Sequence, residues 1–510
     1  MNKIREWFKR ALRPFCVIFA VLFCGAAVFS VYAAVVNLTA VKITLDSNVK
    51  FQTVEGFGMS AAWTFQDIGT DNAAAEEVAE MLYGDSGMRL DVLRYNIGAG
   101  TKEIENGYGD GATRATESFF ISRNYTSPKS FSEPANYDFT RDSAAMNAFD
   151  KCLEKGNVKT VVLFANSPHY LLTENGRGNG SKTYQNNLPE ENYAAFSDYL
   201  IIIADFFRGK LSALENPPQI YVSPVNEPQW AWGGDYASQE GCHFEPAPLA
   251  KFYDVFYNKL KDYNRAHGAD VKPDLFESGD YRLSANGRTK FKKYIGEFKK
   301  YPFFSEIEHI SVHSYNTDNN RGKRNAFASY AKGNLKGLSV HMSEYCIMRG
   351  GIDYGIGTGI ETAGVMMKDL TLLSASQWCW WLGASNGQYE DGLVYYTKEG
   401  GRFGFFTTKR YFTLSQFTRF IGTGDTRIKA TTNDRHGIDG MEICAFEKSG
   451  GKTVVVLINR RGRERGISLP SGYTLTGATV TDGTRNLQSV STDSFKIPPK
   501  SVVTLELEKI

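Results

Sequence analysis

Two short stretches place carboxylates where a reaction could use them. In "IYVSPVNEPQW" (220–230) the strand formers Ile220, Tyr221 and Val222 give way to Ser223, Pro224, Asn226 and Pro228. Glu227 therefore stands at the lip of a strand, with Trp230 and Trp232 just beyond. In "LSVHMSEY" (338–345) Glu344 closes a second run of the same kind. Two carboxyl groups facing each other across a cleft can cleave a glycosidic bond: one protonates the leaving oxygen, the other attacks or activates water. Either glutamate alone would read equally well as a helix cap or half of an ion pair. Both at strand ends, among aromatics, read as an acid and its partner. Further polar residues sit at the ends of similar runs: Arg94, Asn166, Asn226, His313 and Tyr315, with Trp381 in a final one.

Other constellations carry less. "GASNG" (383–387) has the G-x-S-x-G spacing of a serine hydrolase, but that motif needs a helix straight after the serine, and "QYEDGLVYY" reads as loop and strand. His309 and His313 are four apart on a strand, on one face but too far apart to share a metal, and no HExxH accompanies them. "GRGNG" (176–180) lacks the strand–helix frame of a phosphate loop and reads as a flexible rim of a cleft. No cofactor or metal is expected.

What must position these residues is a repeating frame. Apolar runs begin at Val54, Asp91, Lys159, Gln219, Pro273, Glu308, Leu338 and Ser376, and helical patterns at 71–83, 141–155, 190–208, 247–266 and 360–373 fall between them. Eight strands alternating with helices predict an α/β fold, a (β/α)₈ TIM barrel over 51–423, whose strand ends converge on one mouth. An open doubly wound sheet would want G-x-G-x-x-G after its first strand, and "EGFGMSAAW" does not supply it. From 424 to 510 short alternating strands joined by Gly, Ser and Asn turns predict a β-sandwich. A lone strand within 34–50 precedes the barrel and is expected to join that sandwich, so that both chain ends form the side domain.

The remaining features bound the setting. A net charge of +2 over 510 residues offers no basic stripe, which excludes a nucleic-acid surface. Residues 1–33, a basic stretch followed by the apolar "FCVIFAVLFCGAAVFSVYA", read as a signal peptide cut after Ala33, or alternatively as an uncleaved anchor. Either route predicts a secreted or cell-surface protein, with no other stretch able to span a membrane. Beyond that segment Cys152, Cys242, Cys346, Cys379 and Cys444 are odd in number and scattered, so neither a disulfide scaffold nor a zinc site is indicated.

Taken together, "EGFGMSAAW", "LRYNIGAG", "ANSPHYLLTENGRGNG", "VSPVNEPQW", "QEGCHFE", "HSYN" and "HMSEY" resemble glycoside hydrolase family 30, over residues 38 to 510. "VSPVNEPQW" followed by "QEGCH" most resembles its endo-β-1,6-galactanase branch; related branches act on β-1,6-glucan, xylan, fucosides or glucosylceramide. The chain departs from relatives after "ANSP", where it reads His169, Tyr170, Leu171. The resemblance implies Glu227 as acid/base and Glu344 as nucleophile. It further implies Asn226 on the sugar 2-hydroxyl, Tyr315 and His313 orienting the nucleophile, and Trp63, Trp230 and Trp381 as stacking walls. Asn166 is expected among the substrate contacts, and Arg94 is expected to lower the pKa of Glu344. The implied partner is an oligo- or polysaccharide, bound by a monomer. A non-catalytic lectin on the same barrel is the competing reading, and the retention of both carboxylates speaks against it.

Overall fold

A computed structural model describes residues 40–104, 114–234, 238–283, 290–434 and 440–510. The expected signal peptide lies outside the described residues. Eight strands build the barrel: β2 (Gly56–Ser60), β3 (Val92–Ile97), β4 (Thr160–Ala165), β5 (Gln219–Ser223), β6 (Lys272–Pro273), β7 (His309–His313), β8 (Ser339–Tyr345) and β9 (Ala375–Ser385). Neighbours from β2 to β6 and from β7 to β9 pair in parallel, and β9 pairs with β2. The seam between β6 and β7 is closed by a single parallel bridge, Ser278 to Val312. All eight runs expected from the sequence are present, but "PDLFESGD" keeps only its first residue, Pro273, in the strand Lys272–Pro273. Strand β3, and with it β4 and β7 to β9, is almost wholly buried, as expected of strands covered by helices on one side and by the barrel interior on the other.

Helices α1 (Asn72–Tyr83), α2 (Ser143–Glu154), α3 (Tyr193–Leu211), α4 (Pro246–His267), α5 (Phe291–Phe298), α6 (Arg321–Asn334) and α7 (Ile356–Lys368) follow successive strands. Helix α1 starts where the Asp71 carboxylate accepts from the amides of Ala73 (2.8 Å) and Ala74 (3.0 Å). Its buried Ala75, Val78, Ala79 and Leu82 recur at helical spacing on the barrel side. Helix α4 opens on Pro246 and stops at Gly268, whose φ of +57° suits the left-handed end of a helix.

The side domain joins both chain ends. Strand β1 (Val41–Thr53) pairs antiparallel with β10 (Thr426–Thr432) and parallel with β13 (Arg465–Ser468). It runs to Thr53, three residues past the expected boundary at 50. Strands β11 (Glu442–Glu447), β12 (Thr453–Asn459), β14 (Tyr473–Thr481) and β15 (Ser501–Lys509) extend the sheet beyond β10. One face of this sheet shares the barrel's apolar core through Phe446, Val454, Val456, Ile458 and Val502. The other encloses a second core around Ile43, Val455, Leu457, Val503 and Leu505. Helix α8 (Lys409–Thr418) lies between the two domains, and its Gln416 bonds Thr481 and Thr504 of the sandwich. No helix among the described residues is long and apolar enough to cross a membrane.

Candidate active site

The strand ends bring a cluster of charged side chains to one mouth. Glu227 follows β5 in the left-handed region (φ +48°), a conformation that costs a non-glycine residue about 1 kcal/mol or more and persists only where neighbours hold it. The Glu227 amide donates to the Glu277 carbonyl (3.0 Å), and the Trp232 indole donates to the Glu227 carbonyl (2.9 Å). Gly279 lies so close that a Cβ there would stand 2.6 Å from the Glu227 carboxylate. Glu344 closes β8, where a bulge brings it abreast of His313. That bulge lets two consecutive side chains, Ser343 and Glu344, both turn into the barrel.

The contacts form one continuous network. Tyr315 donates to Glu344 Oε1 (3.0 Å), and Arg94 reaches Glu344 Oε2 (3.3 Å). His313 Nδ1 lies 3.0 Å from Glu227 Oε1, while its Nε2 lies 2.7 Å from Glu277 Oε2. Arg94 and Ser343 also donate to Glu277, at 3.0 and 2.9 Å. The side chains of Arg94, His313 and Glu277 are fully buried. Carboxylate oxygens of Glu227 and Glu344, with a His313 nitrogen, all lie within 4.8 Å of one another.

Two cations thus face three carboxylates, and the imbalance is met by a proton. Burial alone would raise Glu277, but Arg94, then His313 and Ser343, hold it down at about 2. Burial disfavours charge on His313, yet Glu344, Glu227 and Glu277 together raise it to about 10. Burial raises Glu344 to about 7, helped by Glu227 and Glu277 and opposed by His313 and Arg94. Arg94 pulls Glu344 down, the direction expected of it, but burial outweighs that pull and the net shift is upward. Near neutrality the buried Glu344 therefore retains a proton that an exposed carboxylate would have lost.

The cleft above this network has a volume of about 540 Å³, within the range of small-molecule sites. Glu227, Glu344, Asn226, Tyr315, Trp230 and Trp381 wall it, joined by Trp232, Gln239, Met348 and Arg349. Other expected contacts stand elsewhere. Trp63 does not wall the cleft; it packs edge-on against Trp381 (5.3 Å) beneath the Arg114 guanidinium. Asn166 is buried behind Asn226, linking it (3.0 Å) to Asn96 (3.1 Å). His313 hydrogen-bonds Glu227, while its Nδ1 is 3.7 Å from Glu344, the residue it was expected to orient. The glycine-rich 176–180 segment is no free rim: Gly178 and Gly180 are buried, and Gly180 packs against the Trp232 backbone. Glu277 and Trp232 were not among the expected site residues. The strand-end polar cluster "FESGD" was the one available signal for Glu277.

A second group of potential metal donors, Asp274, His309 and His341, lies at the opposite end of β7. Its imidazoles stack at 4.1 Å and 17°, so their lone pairs lie in two nearly parallel planes and do not converge on one ion. His309 Nε2 is already bonded to Asp274 (2.9 Å) and His341 to Glu55. All five described cysteines are free and buried.

Comparison with known proteins agrees with this geometry. Residues 40–395 match the profile of O-Glycosyl hydrolase family 30, and residues 424–505 match the Glycosyl hydrolase family 30 beta sandwich domain. An endo-beta-1,6-galactanase of Hypocrea rufa is 24% identical over 438 residues, covering 82% of this chain and 81% of the relative. An exo-beta-1,6-galactobiohydrolase of Bifidobacterium longum subsp. longum is 21% identical over 363 residues, 60% of this chain and 23% of that longer protein. Among solved structures, a conserved exported protein from Bacteroides fragilis superposes with a TM-score of 0.77 at 22% identity, over 91% of this chain and 99% of its own.

Proposed function

Because the chain belongs to glycoside hydrolase family 30, a glycosidase family, we propose that it cleaves internal β-1,6-galactosidic links with retention of anomeric configuration. The observation that carries the mechanism is the closeness of Glu227 and Glu344, whose oxygens lie within 4.8 Å. Retaining enzymes hold their carboxyl groups about 5–5.5 Å apart, whereas inverting ones leave about 6.5–9.5 Å for a water.

In the first step Glu227 gives its proton to the glycosidic oxygen, and the electron pair of the breaking C–O bond leaves with that oxygen. Glu344 attacks the anomeric carbon and forms a glycosyl ester. In the second step Glu227, now a carboxylate, takes a proton from water, the resulting oxygen attacks the same carbon, and Glu344 departs. When substrate is bound, Glu227 must carry the acid proton and Glu344 must be ionised. Positive charge developing on the sugar favours the anion at Glu344, and Tyr315 and Arg94 hold that anion in place. Trp230, Trp232 and Trp381 offer apolar faces to sugar rings.

The linkage rests on the two named galactan-acting relatives. A β-1,6 link has an extra rotatable bond, so several units must be gripped to fix the scissile one, and remote binding then supports the chemical step. The N-terminal basic and apolar segment supports export as the setting. Incubation with β-1,6-galactotetraose, β-1,6-glucotetraose and β-1,4-xylotetraose in parallel, with product sizing, tests the substrate. Faster cleavage of the gluco- or xylo-oligomer, or release of one end unit only, would refute it.

A further inference from the structure

The mouth of the barrel contains a buried carboxylate that the two-glutamate reaction does not use. Glu277 is fully buried, and it spends its oxygens on Arg94, Ser343 and His313 Nε2. Its backbone carbonyl holds the amide of Glu227. An ionised carboxylate oxygen only accepts hydrogen bonds. The 2.7 Å contact to Nε2 therefore places a proton on that nitrogen. The other ring nitrogen, Nδ1, faces Glu227 Oε1 at 3.0 Å.

Two protonation patterns satisfy that second contact. A neutral imidazole would need Glu227 to turn its own proton onto Oε1 and donate it to Nδ1. An imidazolium donates from both nitrogens, makes Oε1 an acceptor whether or not Glu227 is protonated, and confines the acid proton to Oε2. The surroundings favour the second pattern. The charged and titratable groups facing Glu277 and His313 are Arg94, Glu227, Glu344, Tyr315 and Cys379, while Asp274 at the floor acts on Arg94. With His313 and Arg94 both charged and one proton on the Glu227–Glu344 pair, the three carboxylates are balanced to zero net charge. A neutral His313 would leave one buried negative charge uncompensated, which costs several kcal/mol.

The geometry points to Glu277 as a positioning residue that keeps His313 doubly protonated, and thereby aims the acid proton of Glu227 at the cleft. Glu277 touches no substrate and transfers no proton. During the first step the proton moves from Glu227 Oε2 to the leaving oxygen, while the Nδ1–H bond to Oε1 persists and stabilises the carboxylate left behind. This inference rests on Glu227 being the acid/base.

Glu277→Gln keeps the shape and removes the charge, so Nε2–H retains an acceptor while the imidazolium loses its main support. Nitrogen-15 NMR of the histidine-labelled full chain at pH 8 reads the ring directly. The wild type is expected to show His313 as imidazolium, and Glu277→Gln the neutral Nε2–H form; a neutral His313 in the wild type, or an unchanged imidazolium in the variant, overturns the proposal. Kinetically, Glu277→Gln should lose on the order of 100-fold in kcat/KM on the natural glycan, within the usual span of acid catalysis. On an aryl glycoside whose leaving group needs no proton the loss should be under about tenfold, and activity on the glycan should recover toward lower pH as His313 regains its proton. Equal losses on both substrates with no shift of the pH profile would mean a merely structural role. Glu277→Asp, which restores the charge, should bring back the imidazolium signal, and circular dichroism checks that each variant folds. The NMR arm does not depend on turnover, so it stands even if Glu227→Gln shows that another group is the acid.

Discussion

Strand β7 carries a histidine at each end, and the two live in opposite electrostatic worlds. His313, at the mouth, meets Glu227 and Glu277 and is raised to about 10. At the floor His309 stacks on His341, and His341 is lowered, first by burial and then by His309. Both ends are buried and both mix imidazole with carboxylate. At the floor each polar group has a partner: Asp274 accepts from His309 and Ser311, Glu55 pairs with His341, and Tyr221 packs edge-on against both rings. At the mouth the carboxylates outnumber the cations, and two of them face an open cleft. Closed networks add stability and specificity to a fold, whereas an unbalanced one that opens to a ligand can exchange protons with it.

The contrast predicts a graded series of losses. Removing the nucleophile should have the greatest effect: Glu344→Ala is expected to lower kcat at least about 10⁴-fold, and added azide or formate should restore turnover with a product of opposite anomeric configuration. A floor substitution with the same kinetic effect would erase the distinction. Glu227→Ala should cost about 10²–10⁴ on the glycan but little on activated aryl glycosides; equal losses on both substrates would show that the acid has been misassigned.

Stability should separate the ends next. Arg94 is fully buried between Glu277 and Glu344, so Arg94→Met strands two carboxylates and should cost about 3–5 kcal/mol, measurable by urea unfolding. At the floor Asp274→Ala leaves the His309 and Ser311 donors unpaired and should cost only about 1–3 kcal/mol, with kcat unchanged within about twofold. A floor variant that lost activity without losing stability would contradict this account.

The pH profile sharpens the comparison most finely. Burial raises Glu344 to about 7, and a carboxylate nucleophile reacts only when ionised. On the acid side of that value the proton blocks attack, so kcat/KM should climb as pH rises through about 7. A profile flat from pH 5 to 9 would contradict the raised Glu344.

The sequence foretold the frame better than the network. Strands β3, β4, β8 and β9 read as apolar runs ended by polar residues, because strands buried on both faces have few alternatives. Glu227 and Glu344 were legible for the same reason, each being the first charge after such a run. Helix α6 was not singled out, since only Arg324 and Phe327 of its fourteen residues are buried and its apolar stripe is too thin to read. Glu277 escaped because β6 shrinks to Lys272–Pro273 and the barrel closes through the loop beyond it, which no periodicity marks. The role of His313 was misjudged where the outcome depended on three carboxylates competing for two cations, and the foreseen pull of Arg94 on Glu344 is outweighed by burial. Such a balance is set by distances across the ends of five strands and leaves no local trace in the chain.

The central claim is that Glu227 and Glu344 act as acid/base and nucleophile across a gap too narrow for an intervening water. Proton NMR of the first-formed product from a β-1,6-galacto-oligosaccharide, recorded before mutarotation, tests it directly. The account predicts that the new reducing end appears as the β-anomer and drifts toward equilibrium only later; an initial α-anomer would contradict it.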